Sequence, residues 1–140
     1  MRRDGGLRAL FLSRLPNAFW QSIETGGTGL GVPDAHYCFP KGCNGWIEYK
    51  QTDANAVVIR PEQVAWIERY HRNGGRVFVA VRQQWKLSSR KFATDNLWLV
   101  DGSFVRTLLL HGLSGVAKSK RWSGGPANWR WDEIEKILTA

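Results

Sequence analysis

Asp34, Glu48 and Lys50 are the residues of this chain whose types and spacing best suit a reaction. Two carboxylates and an ammonium brought to one spot make a site for a hard divalent cation. Mg²⁺ prefers oxygen ligands and also takes substrate phosphate, and Mn²⁺ can replace it. Such a spot would set a metal ion and a substrate phosphate beside an ammonium.

Whether the three meet depends on the elements that carry them. Gly31-Val32-Pro33-Asp34 and Trp46-Ile47-Glu48-Tyr49-Lys50 read as two strands of a hairpin, with Asp34 at the start of the first. Side chains two apart in a strand share a face. Glu48 and Lys50 therefore point one way, and Ile47 and Tyr49 point the other way into a core. The intervening Pro40-Lys41-Gly42-Cys43-Asn44-Gly45 is rich in residues that make tight turns. A register that faces Asp34 toward Glu48 assembles the site.

The next element is a helix opening at Arg60-Pro61-Glu62-Gln63, with proline in its favoured first turn and Glu62 at the positive end of the dipole. It is expected to run to His71 or Arg72 and to end at Asn73-Gly74-Gly75. Gln63, Trp66, Ile67 and Tyr70 share one face, which packs on the sheet and aims Gln63 inward near the site. A capping or surface role for Gln63 stays open. Arg76 to Arg82 holds an apolar run without alternation, as in a central strand covered on both faces. The helix then crosses between two parallel strands.

Glycine before Pro33-Asp34, the Glu48-Tyr49-Lys50 triplet, the glutamine helix and the Gly-Gly-Arg strand together resemble the PD-(D/E)XK nuclease superfamily. The similarity runs from about Trp20 to Arg82. Within that superfamily the chain resembles the virus-type replication-repair (VRR-NUC) branch, particularly its small phage-encoded members. The resemblance implies an α/β restriction-endonuclease-like core, a mixed sheet in the order α-β-β-β-α-β flanked by helices. It implies a metal-dependent endonuclease in which Asp34, Glu48 and the Tyr49 carbonyl hold Mg²⁺ or Mn²⁺, joined in some members by an upstream acid, here Glu24. A glutamine at the place of Gln63 also belongs to that pattern, and the product carries a 5′-phosphate. The small relatives imply branched DNA, such as four-way junctions or flaps, as substrate, and a homodimer to cut it.

Length and charge agree with that reading. A chain of 140 residues is expected to form one domain, with its core at about 7–82 and a small helical and strand extension at about 83–140. Twenty Lys and Arg against twelve Asp and Glu leave a net charge of +8, and the pI is near 10.0, which favours a polyanionic partner such as DNA. Arg60, Lys86, Arg90, Lys91, Lys118, Lys120 and Arg121 are the expected backbone contacts. Cys38 and Cys43 are expected to be reduced. With His36 they supply at most three zinc ligands, and no second cluster completes a tetrahedron. The charged amino terminus does not read as a signal peptide, and no apolar run is long enough for a membrane span. The expected location is the cytoplasm, that of the infected host if the chain is phage-borne.

Elsewhere the pattern is less directive. Leu7, Leu10, Phe11 and Leu15 recur at helical spacing, and Pro16 stops that helix. Asn17 to Glu24 reads either as a second helical turn opened by Pro16, with Phe19 and Ile23 inward, or, as preferred here, as the first strand over Phe19 to Thr25. Thr25 to Gly31 is glycine-rich but lacks the ending of a nucleotide-binding P-loop. Gln51 to Ile59 reads as a loop over the site, Trp85 to Lys91 as a basic segment, and Leu97 to Val100 as a short strand. Asp101 or Ser103 is expected to cap a helix through Leu110 with Phe104, Leu108 and His111 on one stripe. Lys118 to Pro126 reads as a basic, aromatic loop and Asp132 to Leu138 as a last helix. Trp85, Trp122, Trp129 and Trp131 sit beside basic residues, and two roles stay open for them: stacking on unpaired bases, or packing. Three rivals to the enzyme reading are a DNA-binding module of the same fold without cleavage, an RNA-directed nuclease, and a basic structural protein.

Overall fold

The computed structural model describes residues 4–24, 29–88 and 91–140. Their elements are α1 (Leu7–Arg14), β1 (Phe19–Ser22), β2 (Ala35–Phe39), β3 (Cys43–Thr52), α2 (Pro61–Arg72), β4 (Val77–Ser88), β5 (Lys91–Asp101), α3 (Val105–His111), β6 (Lys120–Trp122) and α4 (Trp131–Thr139). The six strands form one open sheet in chain order, β1-β2-β3-β4-β5-β6. Only the β3–β4 pairing is parallel, with Glu48 opposite Val79 and Lys50 opposite Val81; its neighbours on both sides are antiparallel. Helix α2 makes the crossover that this parallel pair requires.

Strand alternation divides the molecule into two apolar layers. Ile47, Tyr49, Phe78, Ala80, Leu97 and Leu99 face Leu7 and Phe11 of α1 and Ile134 and Leu138 of α4. Val77, Val79, Val81, Trp98 and Val100 face Val64 and Ile67 of α2 and Val105 and Leu108 of α3. The result is a mixed α/β fold, a mostly antiparallel open sheet flanked by helices. Glu48 and Lys50 belong to the α2 layer because they alternate with Ile47 and Tyr49. Among the described residues, no helix is long and apolar enough to cross a membrane.

Helix α1 starts where Asp4 accepts the N–H groups of Gly6 and Arg8, at 2.9 and 3.1 Å. Pro61 opens α2, and Gly74, at φ 88°, follows its end. Several sequence expectations are corrected: residues 31–34 precede the sheet, which β2 enters at Ala35, and β1 ends at Ser22. The β2–β3 turn is confined to Pro40–Gly42, with Lys41 and Gly42 at positive φ, and β3 begins at Cys43. Gln51 and Thr52 lie in β3, not in a loop.

The segment after Arg82 belongs to a long hairpin, in which β4 runs to Ser88 and β5 returns from Lys91. Cross-strand pairs such as Gln84 with Asp95 and Trp85 with Thr94 hold it, with register shifts between Trp85 and Lys86 and between Lys86 and Ser88. Part of the basic loop is β6, which adds to β5. In α3 the inward residues are Val105 and Leu108; Phe104 precedes the helix and, like His111, is exposed.

Candidate active site

The approach of the 31–34 segment to α2 starts the construction of the site. Gly31 has φ +85°, and a Cβ there would collide with the Glu62 carbonyl, so the chain can pass the start of α2 only without a side chain. Val32 and Pro33 follow, and Asp34 sits one residue before β2, whose Ala35 pairs with Ile47. Asp34 thereby lies beside Glu48 and bonds its strand. Its Oδ2 accepts the Tyr49 N–H at 2.9 Å. A strand residue's N–H and C=O point to the same side, so the Tyr49 carbonyl also faces the edge that β2 leaves open beyond Ile47.

Glu48 is 3% exposed and Gln63 5%. The Gln63 amide nitrogen donates to Glu48 Oε2 at 2.7 Å. Its carbonyl accepts from Lys50 Nζ and from the Arg60 N–H, each at 3.0 Å. Lys50 Nζ stands 3.5 Å from Glu48 Oε2. Gln63 is thus a buried bridge with both ends engaged, tying the acid, the base and the first turn of α2 together. This satisfies a polar group that would otherwise be costly to bury.

Burial pushes the Glu48 carboxyl up from its ordinary value of 4.5 to about 7, and the neighbouring Asp34 carboxylate pushes the same way. Lys50 and the Asp34 backbone N–H counter only part of this. An acid so poised gains from any cation brought to it.

Arg8, which no sequence pattern marked, is the other cation at the site. Its guanidinium donates to the Asp34 carbonyl at 3.0 Å and lies 3.7 Å from Asp34 Oδ1. Arg8 sits off the apolar stripe of α1, and only the docking of that helix on the sheet reveals its partner.

The other expected residues divide by position. Glu24 is exposed and makes no hydrogen bond or ion pair among the described residues; the preceding Ile23 donates its N–H to the Asp34 carbonyl at 2.8 Å. Arg60 is exposed at the start of α2, 3.7 Å from Glu62. Lys86 and Lys91 lie on the β4–β5 hairpin, and Arg90 lies outside the described residues. Arg121 crosses the Trp98 ring at 5.2 Å, which puts it on the α2 face with Lys50.

Lys118 and Lys120 do not join that face. They line a separate cleft of about 1040 Å³ with Arg76, Phe78, Leu99 and Ile137, and none of Asp34, Glu48, Lys50 or Gln63 lines it. Asp101 is the one acidic side chain among the described residues on its walls. Trp122 and Trp129 are buried and Trp131 is partly buried, so these three serve packing; their indole N–H groups donate to Glu133, Asp95 and Pro126. Trp85, at 41% exposed, is the one of the four that faces solvent.

The donor set suits a hard cation. Asp34 and Glu48 would offer carboxylate oxygens and Tyr49 a carbonyl to such an ion. Among the described residues, no group of three or more His, Cys, Asp or Glu side chains gathers as a metal cage. Comparison with protein-family models, with curated proteins and with solved structures found no significant match to this chain.

Proposed function

We propose that this chain is a Mg²⁺- or Mn²⁺-dependent DNA endonuclease of the PD-(D/E)XK superfamily, with a restriction-endonuclease-like core of the VRR-NUC type. The observation that carries the reading is the buried Glu48–Gln63–Lys50 bridge beside Asp34. A buried acid with a raised pKa, a second carboxylate and an ammonium on one sheet face form a costly arrangement for stability alone.

In the proposed mechanism Asp34, Glu48 and the Tyr49 carbonyl hold the ion. When bound, it offsets charge on the phosphate and helps water lose a proton near neutral pH. Lys50 orients the attacking water or meets the negative charge of a non-bridging oxygen. Gln63 fixes Glu48 and Lys50 relative to each other, so that neither reorients as charge develops. Arg60, and Lys86 and Lys91 on the β4–β5 hairpin, contact the DNA backbone with salt-dependent affinity. Branched DNA, a 5′-phosphate product, a homodimer and a phage setting in the host cytoplasm complete the proposal, each resting on the family resemblance.

The experiment is cleavage of plasmid, four-way junction, flap and RNA substrates with Mg²⁺, with Mn²⁺ and with chelator. Metal-dependent DNA cleavage that Asp34→Ala and Lys50→Ala abolish is expected. Cleavage insensitive to chelator, or wild-type rates in those variants, ends this mechanism. DNA binding without cleavage in either metal assigns the chain to the non-cleaving module instead.

A further inference from the structure

The β4–β5 hairpin reaches past the rest of the sheet. The last β3 pair is Thr52 with Gln83, and β6 meets β5 only from Leu97 to Leu99. Beyond those pairs, Gln84–Ser88 and Lys91–Asp95 continue as a two-stranded ribbon, and no third strand joins either edge among the described residues. Trp85 is 41% exposed and Leu87 68%, an unusual pair to leave in water on a ribbon that also carries Lys86 and Lys91.

The side to which Trp85 points follows from its neighbours. Val79 and Val81 face α2, and Gln83 bonds Ala54 and the Trp98 indole on that same side. Arg82 and Gln84 point the other way, to Asp95 and Gln51. Alternation then returns Trp85 to the face that holds Glu48 and Lys50. Lys50 pairs with Val81, and Trp85 is four residues on. At ~3.3 Å per residue that is about 13 Å along the strand, or about four nucleotides of one duplex strand at ~3.4 Å each.

We propose that this ribbon is a reader of unpaired DNA, in which Trp85, flanked by Leu87, stacks on a base displaced from a duplex about four nucleotides from the phosphate held at Lys50. The proposal deepens the nuclease reading and rests on it for the position of that phosphate. Duplex DNA hides its base faces within its own stack, whereas a flap or junction offers them to an aromatic ring. Arg121, which lies over Trp98 and so on the same face as Trp85, meets the DNA backbone beside that base.

Binding is measured on the full chain carrying Asp34→Asn, which holds cleavage off. The probes are a fork with one unpaired arm, with 2-aminopurine at successive arm positions, and a blunt duplex of equal length. Adding Trp85→Ala is expected to weaken fork binding about ten-fold or more while leaving duplex binding nearly unchanged, and Trp85→Phe is expected to restore most of it. Quenching of 2-aminopurine near the fourth position is expected to vanish in Trp85→Ala.

Equal losses on fork and duplex, or no loss on the fork, overturn the ribbon's role. So does tighter binding of an RNA arm of the same sequence, or a dimer that Trp85→Ala dissolves, which assigns the ribbon to a second copy. Metal-dependent cleavage by the wild-type chain with fork binding indifferent to Trp85 removes the reader and leaves the nuclease. Trp85-dependent fork binding without cleavage removes the nuclease and leaves the reader.

Discussion

The Gln63 amide nitrogen donates to Glu48 Oε2 at 2.7 Å while its carbonyl takes the Lys50 ammonium at 3.0 Å, so one buried side chain sets the spacing of an acid and a base. Gln63→Ala removes both contacts. A group that orients a metal ligand typically accounts for about 10- to 100-fold in metal affinity or activity. Gln63→Ala is expected to lower kcat on DNA by that factor with KM nearly unchanged, measured by steady-state cleavage. A rise in KM alone would instead make Gln63 a DNA contact.

Glu48 gives the metal-free protein a pH dependence. Its pKa in the fold is raised to about 7 from an ordinary 4.5. The fold therefore prefers the protonated acid. The associated stability is fully present below about pH 4.5 and is lost as pH rises through about 7. Urea unfolding between pH 5 and 8 is expected to show this fall, on the order of 2 kcal/mol, and Glu48→Gln is expected to flatten it. Divalent-ion affinity is expected to rise over the same interval, because the ion displaces a proton; calorimetry checks this.

Arg8 places a cation 3.7 Å from Asp34 Oδ1, so a divalent ion bound there would meet its repulsion. Because the pair is partly exposed, its effect on stability is expected to be within about 1 kcal/mol. Arg8→Ala is expected to raise Mn²⁺ affinity a few-fold, read by titration of the metal-free chain. Weaker Mn²⁺ binding would show that Arg8 chiefly holds Asp34 in place.

Arg82 and Asp95 form a largely buried pair, with both guanidinium bonds at 2.8 Å, and the same arginine donates to the Gly5 carbonyl. Asp95→Ala leaves that charge without its partner, at a cost of about 3–5 kcal/mol. The loss is expected in the urea midpoint. The double variant Arg82→Met/Asp95→Leu is expected to recover most of it, since well-packed apolar replacements often match a buried ion pair.

Local pattern determined much of this protein. The alternation Trp46-Ile47-Glu48-Tyr49-Lys50 put Glu48 and Lys50 on one face, because side-chain direction in a strand is set by the backbone alone. The Arg60-Pro61 opening and the Asn73-Gly74-Gly75 ending bounded α2, and its helical period aimed Gln63 inward. Tertiary structure alone decided the rest. Arg8 reaches Asp34 only once α1 docks across the sheet, and no periodicity within one helix encodes a partner 26 residues away. The ribbon of Gln84–Ser88 and Lys91–Asp95 depends on pairing between two strands, with register shifts along it, which neither strand read singly encodes. Trp122 and Trp129 look like base-stacking residues beside their basic neighbours, but the approach of α4 and the turn before it buries them, since burial depends on what arrives from elsewhere in the chain.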